Sequence, residues 1–95
     1  MTNKQTRKKR QSGKENAPEG IYSLILHNDD IHSFDYVISA LIEVCEHQFE
    51  QAMQCALITH YKGSCDVRKG AYQDIEKMKN VLTFKELIVT ITSQP

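Results

Sequence analysis

The stretch Tyr22–Val37, YSLILHNDDIHSFDYV, joins a strand pattern to a helix pattern through a polar turn. Apolar residues at every second position from Tyr22 to Leu26 predict a strand with one buried face. The segment NDD (residues 28–30) favours a turn, because its short polar side chains bond neighbouring backbone groups. Ser33 has the side chain of a helix N-cap, and helical spacing follows it. The stretch therefore places two carboxylates and an amide beside the apolar start of a helix, which suits a ligand with one cationic and one apolar end.

The rest of the chain continues with the same two patterns. Apolar residues at positions i, i+3 and i+4 predict helices, Lys62-Gly63 predicts a helix end, and the β-branched residues near the C-terminus predict a strand. The predicted elements are a strand from Tyr22, a helix from Phe34 to about Glu46, a helix from Phe49 to about Tyr61, a strand over Cys65–Lys69, a helix with Tyr72, Ile75, Met78 and Leu82, and a strand over Glu86–Thr92. This order predicts the α/β class, as an α+β sandwich with a three-stranded sheet covered by helices.

The apolar residues of the first two helices predict two buried stripes. The stripes consist of Phe34, Val37, Ile38, Leu41 and Cys45 on the first helix, and of Phe49, Met53, Ala56 and His60 on the second, with Ala52 and Leu57 alongside. The three cysteines are an odd number without CxxC spacing, which favours free thiols over disulfides. We expect Cys45 and Cys55 to be small buried residues.

Length and composition predict one small domain preceded by a basic arm. The chain has 95 residues, 40% hydrophobic and 25% charged, as in soluble globular domains. Its formal net charge of zero conceals a split, because Met1–Glu19 carries +4 and the remaining residues carry −4. We predict a flexible basic arm over residues 1–20 and a folded domain over residues 21–95. The sequence has neither an apolar run of membrane-spanning length nor a signal-peptide pattern, so we expect a cytoplasmic protein.

Two motifs in the same order of elements give the chain a resemblance to a known family. The first is LHNDD, followed by a helix with Phe34 and Val37, and the second is ITHYKGSC, at the end of the second predicted helix. Together they resemble the ClpS adaptor family in its N-D-D turn and its H-x-x-G sequence. The similarity covers about Tyr22–Ile91, nearly all of the predicted domain.

The resemblance implies an adaptor without catalytic activity or cofactor. Members of this family bind N-degrons, which are protein N-termini beginning with Leu, Phe, Tyr or Trp, and deliver them to the N-terminal domain of a Clp-type AAA+ unfoldase. It implies that the free α-amino group is surrounded by Asn28, Asp29, Asp30 and His60, and that the side-chain pocket is lined by His32, Phe34, Val37, Ala56 and Thr59. By the same analogy Tyr72, Asp74 and Lys77 would dock on the unfoldase, and the protein would be a monomer.

The chemistry of the implied site agrees with an N-terminal ligand. An α-ammonium group has up to three N–H donors, and the amide, imidazole and carboxylate side chains of the two motifs supply acceptors and a negative field. Four pocket positions differ from the usual family residues: His32 replaces a frequent Thr, Phe34 and Ala56 stand where Met is frequent, and Thr59 replaces a common Val. These differences leave the preference among Leu, Phe, Tyr and Trp open.

Other functions are compatible with parts of the sequence. A metal site could use His27, Asp29, Asp30, His32, His60 and Cys65, but their spacing is not that of an established zinc site. No nucleophile elbow or phosphate-binding loop is present to indicate catalysis. A small nucleic-acid-binding or ribosome-associated domain acting through the basic arm is the main alternative, although the acidic domain argues against nucleic acid as a partner. The C-terminal domain of the ribosomal stalk protein resembles this fold but would not be expected to carry the NDD and His60 pair.

Overall fold

The computed structural model of the protein describes residues 19–94. Its elements are β1 (Tyr22–His27), α1 (Phe34–Cys45), α2 (Phe49–Lys62), β2 (Ser64–Gly70), α3 (Tyr72–Phe84) and β3 (Ile88–Ser93). The predicted order of elements and the predicted α+β class are both confirmed. The predicted arm over residues 1–20 lies almost entirely outside the described residues.

The three strands form one antiparallel sheet in the order β2-β1-β3. The central strand β1 pairs with β2 from Tyr22 opposite Gly70 to His27 opposite Ser64, and its register shifts between Leu24 and Ile25. Helix α2 packs on β2, and α3 contacts all three strands. Leu24 and Leu26 of β1 are therefore almost fully buried at the centre of the core, as their alternation predicts.

The predicted helix signals correspond to real caps. The Ser33 side chain accepts a hydrogen bond of 3.1 Å from the backbone N–H of Tyr36 and so caps the start of α1. Helix α2 ends at Gly63, which has a φ of 95° and donates its N–H to the carbonyl of Thr59. A left-handed residue at this position favours glycine, because glycine has no Cβ to clash.

The stripe predicted for α2 is buried only in its middle, and the buried face is rotated from the prediction at both ends of the helix. The structure buries Ala52, Cys55, Ala56 and Thr59, whereas Phe49 and His60 at the two ends of the predicted stripe are exposed. Small residues on the inner face allow α2 to lie close to β2 and α1. The larger side chains are displaced to the edge of this contact, so His60 is available at the surface.

The start of the last strand also differs from the prediction. Glu86 has a positive φ of 69°, and the N–H of Leu87 donates to the carbonyl of Leu82. These two residues form the turn that closes α3, so β3 begins at Ile88 instead of Glu86.

The prediction of buried cysteines is confirmed for Cys45 and Cys55. Burial raises the pKa of the Cys45 thiol to about 11. Burial, together with the neighbouring Cys55 thiol, raises the pKa of Cys65 to about 12. The thiols are therefore in the unreactive protonated form at neutral pH.

Candidate functional site

One cavity of about 290 Å³ lies between the turn after β1, the start of α1 and the C-terminal half of α2. Its lining includes all nine residues predicted for the ligand site: Asn28, Asp29, Asp30, His32, Phe34, Val37, Ala56, Thr59 and His60. The other lining residues are Leu26, His27, Ser33 and Leu87. The fold thus brings together side chains that are separated by up to 61 positions in the sequence.

The two sequence motifs are joined directly by a backbone hydrogen bond. The N–H of Asn28 donates to the carbonyl of Gly63 over 2.9 Å. This bond fixes the end of β1 against the end of α2. Phe34 and His60 then meet across the cavity in an edge-to-face contact, with ring centroids 5.2 Å apart. The NDD turn and the H-x-x-G segment therefore form facing walls of one site.

Asp29 is held firmly within the turn. Its Oδ1 accepts hydrogen bonds from the backbone N–H groups of Ile31, at 2.8 Å, and His32, at 3.0 Å. The imidazole Nδ1 of His32 lies 3.1 Å from Oδ2. Burial alone would raise the pKa of Asp29, but the hydrogen bonds from His32 and Ile31 outweigh it and lower the pKa below its usual value of 3.8. The carboxylate is therefore ionised throughout the physiological pH range.

His32 connects this turn to the turn that precedes β3, at the same end of the sheet. Its ring stacks on Tyr36, with centroids 4.7 Å apart and planes inclined by 15°. The Tyr36 hydroxyl donates a hydrogen bond of 2.8 Å to the carbonyl of Lys85, in the turn before β3. His32 thus both lines the cavity and braces its wall against the chain 53 positions further on.

The interior of the cavity is apolar. Leu26, Ala56 and Leu87 are each at least 97% buried, and Val37 is half-buried beside them. Thr59 contributes no free donor, because its hydroxyl donates to the carbonyl of Cys55 over 2.8 Å within α2. The cavity therefore combines acceptor groups at its mouth with an apolar interior, which suits a cationic group attached to an apolar side chain.

Several contributors to the site were not assigned to it from the sequence, among them Leu87, Tyr36 and Leu26. Leu87 lies at the end of a turn without any motif, and its contact with residues near Asn28 depends on the pairing of β3 with β1. Tyr36 has an ordinary position in a helical pattern, and its bond to Lys85 is set by tertiary structure alone. Leu26 was predicted to be buried, but the alternation of β1 does not show that it reaches the cavity.

Two of the three residues predicted to dock on a partner line a common cavity, and the third does not. Asp74 and Lys77 line a second cavity of about 330 Å³, together with Glu46, Arg68, Lys69, Gly70, Ile75 and Met78. Tyr72 is partly buried instead and packs edge-to-face on Tyr22, with ring centroids 5.2 Å apart. The second cavity mixes acidic and basic side chains, whereas the first one is acidic and apolar.

Within residues 19–94, no three His, Cys, Asp or Glu side chains are grouped so that they could hold a metal ion. None of the helices in the same range has the length and hydropathy needed to cross a membrane.

Comparison with known proteins identifies the family. The model of the family described as "ATP-dependent Clp protease adaptor protein ClpS" matches residues 17–87, which is more than half of the chain. The chain belongs to the ClpS adaptor family. This assignment confirms the resemblance carried by the NDD and H-x-x-G motifs, and it places the chain among adaptors of a protease instead of among proteases.

Individual relatives support the ClpS assignment over a shorter range. The ClpS adapter protein of Oleidesulfovibrio alaskensis is 43% identical over 42 residues, which are 44% of this chain and 40% of that protein. The ClpS adapter protein of Edwardsiella ictaluri is 41% identical over 46 residues, which are 48% of this chain and 43% of that protein. The matched segments thus span less than half the length of either relative.

A solved ClpS structure has the same fold. Agrobacterium tumefaciens ClpS2, bound to L-phenylalaninamide, superimposes with a TM-score of 0.75. The superposition covers 79% of this chain and 98% of that protein, at 22% sequence identity. The ClpS fold is therefore retained although most individual residues differ.

Proposed function

We propose that this protein is an adaptor that binds protein N-termini beginning with a bulky hydrophobic residue and delivers them to a Clp-type AAA+ unfoldase. The observation that carries the proposal is the cavity between β1, α1 and α2, which has polar acceptors at its mouth and an apolar interior. Its volume of about 290 Å³ is at the lower end of ligand pockets, which measure roughly 300–1,000 Å³. A cavity of this size suits one amino-acid residue at the end of a chain.

The binding mode combines two weak interactions into a selective one. Asn28, Asp29, Asp30 and His60 surround the α-ammonium group, and each hydrogen bond to this charged group contributes about 1.5–3 kcal/mol. Val37, Ala56, Thr59 and Phe34 enclose the first side chain together with His32, and burial of a Leu or Phe contributes a further ~1.5–3 kcal/mol. An acetylated N-terminus loses the first contribution, and a small or polar first residue loses the second.

The structural relative supports this mode of binding. L-Phenylalaninamide, the compound bound to the A. tumefaciens protein, is a phenylalanine with a free α-amino group and a neutral amide in place of its carboxylate. It has the chemistry of the first residue of a polypeptide. A cavity with an acceptor mouth and an apolar interior is complementary to a molecule of this kind.

The decisive experiment measures fluorescence anisotropy with labelled peptides that differ only in their first residue: Leu, Phe, Tyr, Trp and Ala. We expect saturable binding of the four bulky residues, binding of the Ala peptide that is at least about tenfold weaker, and loss of binding when the α-amino group of the Leu peptide is acetylated. Equal binding across the set, or unchanged binding after acetylation, would contradict the proposal.

Delivery requires a second surface, for which we propose the cavity that contains Asp74 and Lys77. A charge reversal, Lys77→Glu, is expected to weaken association with the N-terminal domain of the unfoldase and to leave the anisotropy results unchanged. Lys79→Glu is the matched control, because Lys79 lies on the same helix but lines neither cavity. Equal effects of the two substitutions would exclude a specific contact at Lys77.

A further inference from the structure

Phe84, the last residue of α3, has its large apolar side chain in solvent. The side chain is 89% exposed, compared with 43% for Phe34 and 54% for Phe49, the other two phenylalanines of the chain. Helix geometry explains this exposure, because a residue two positions from the fully buried Leu82 points to the opposite side of the helix. Packing of the described chain therefore does not account for an aromatic ring at this position.

The exposed ring belongs to a stripe along the outer face of α3. Residues at positions i, i+4 and i+7 lie on one side of a helix, and in α3 one such set consists of Lys77, Val81 and Phe84. All three residues are exposed, Val81 by 46%, and we call them the α3 stripe. Seven residues rise by about 10 Å along a helix axis, so one partner surface can contact both the basic and the apolar end of the stripe.

The apolar end of the stripe is held in place by the turn that closes α3. The N–H of Lys85 donates to the carbonyl of Val81 over 3.0 Å. The carbonyl of Lys85 accepts a hydrogen bond of 2.8 Å from the Tyr36 hydroxyl, and its ammonium group lies 3.1 Å from the carboxylate of Glu43. Because the backbone beside Phe84 is fixed by these contacts, a partner that binds the ring has little backbone to order.

We propose that the α3 stripe contacts the N-terminal domain of the unfoldase, with Phe84 as the apolar anchor and Lys77 as the charged end of the contact. The inference rests on the proposed function, which assigns the cavity lined by Lys77 to the unfoldase. It requires a partner surface with an apolar depression about 10 Å from an acidic side chain. An adaptor binds substrate and unfoldase at the same time. Neither Val81 nor Phe84 lines the ligand cavity, so the stripe stays accessible when a peptide is bound.

The substitution Phe84→Ala tests the apolar anchor. Because the ring is exposed and alanine favours a helix, we expect an unchanged Tm and unchanged peptide anisotropy. Association with the complete Clp-type unfoldase of the same organism, measured by biolayer interferometry, should weaken by roughly tenfold or more. Phe49→Ala is the matched control, because Phe49 is also an exposed phenylalanine but lies on α2. It should leave the association unchanged.

Two further substitutions separate apolar contact from side-chain length. Phe84→Leu keeps an apolar side chain at the end of the stripe and should retain most of the affinity for the unfoldase that Phe84→Ala loses. Phe84→Gln keeps a long side chain but replaces its apolar end by an amide, so it should bind as weakly as Phe84→Ala. Equal affinities of the Leu and Gln variants would contradict an apolar anchor.

The outcomes distinguish the inference from the function on which it rests. If the unfoldase binds the wild type, Phe84→Ala and Phe49→Ala equally well, the anchor at Phe84 is wrong and the proposed function stands. If the adaptor alone sediments faster as its concentration rises, and Phe84→Ala abolishes this effect, the stripe is a contact between two copies and the inference is overturned. If the wild type binds peptides but not the unfoldase, the delivery part of the proposed function fails and this inference fails with it.

Discussion

Ala56 lines the ligand cavity at a position where the resemblance to the ClpS family leads us to expect a Met. Its methyl group is 97% buried against the apolar interior. Phe34 on the opposite wall is larger than the usual residue but is 43% exposed, so it extends the rim of the cavity more than it fills the interior. We therefore expect the interior to have room for an aromatic first residue.

Because Ala56 is small and lies in the buried interior of the cavity, the substitution Ala56→Met tests whether the shape of the cavity determines which first residue is preferred. The longer side chain would fill part of the space used by a large ring, so we expect affinity for the Trp and Tyr peptides to fall by roughly tenfold, with a smaller effect on the Leu peptide. Thr59→Val is the matched control on the same helix, because the Thr59 hydroxyl is already bonded to Cys55 and its loss leaves the cavity volume unchanged. Equal weakening of all peptides by Ala56→Met would point to damaged packing instead.

The low pKa of Asp29 predicts how stability depends on pH. Because its pKa is lower in the folded protein than the ordinary value of 3.8, the ionised carboxylate stabilises the fold at pH values above about 4, and this stabilisation is lost as the pH falls through the folded-state pKa. Thermal unfolding of the wild type and Asp29→Asn between about pH 2 and pH 6 measures the effect. We expect the wild type to have the higher Tm at pH 6 and the two curves to converge in acid; a constant difference would exclude this coupling.

At the scale of elements, local sequence signals predicted the boundaries well where a cap is present. Ser33 and Gly63 each satisfy backbone groups at a helix end, so the start of α1 and the end of α2 follow from the residue types alone. The rotation of α2 and the start of β3 were predicted less well. The rotation of α2 depends on which small residues allow close approach to β2. The start of β3 depends on the left-handed conformation of Glu86, and the sequence has no glycine there to signal the turn.

The cap at Ser33 gives a prediction for α1, the helix that carries Phe34 and Val37. Ser33→Ala removes the acceptor for the Tyr36 N–H and is expected to cost about 0.5–2 kcal/mol in the free energy of unfolding. Ser39→Ala is the matched control, since Ser39 is exposed within the same helix and Ala is the better helix former there. Chemical denaturation of both variants makes the comparison, and equal losses would mean that the cap does not stabilise α1.

At the scale of the whole molecule, the fold brings the NDD and H-x-x-G motifs together in one site. The sequence predicted nine residues of the cavity, because NDD and H-x-x-G carry the family resemblance. It could not predict Leu87 or the contact of Tyr36 with Lys85, because those depend on how β3 returns beside β1 and on how α3 ends. Such long-range contacts have no local pattern, whereas caps, turns and periodicity do.

The charge distribution of the chain predicts a role for residues 1–19 that is separate from peptide recognition. Their net charge of +4 opposes the −4 of the remaining residues. Within the described part of the chain, the side chains that line the ligand cavity come from residues 26–87. We propose that the segment assists delivery of bound substrate to the unfoldase. Removal of Met1–Glu19 should then leave peptide anisotropy unchanged but slow the degradation of a model substrate with an N-terminal Phe by the complete unfoldase and protease.

A second variant separates the charge of this segment from its length. Replacing Arg7, Lys8, Lys9 and Arg10 by Gln keeps the number of residues but removes four positive charges. If the segment acts electrostatically, this variant should degrade the substrate as slowly as the truncated protein, and the rate of the unmodified protein should fall as salt is raised. If the segment acts through its length, the Gln variant should keep the normal rate. Loss of peptide binding after truncation would overturn the separation of recognition from delivery.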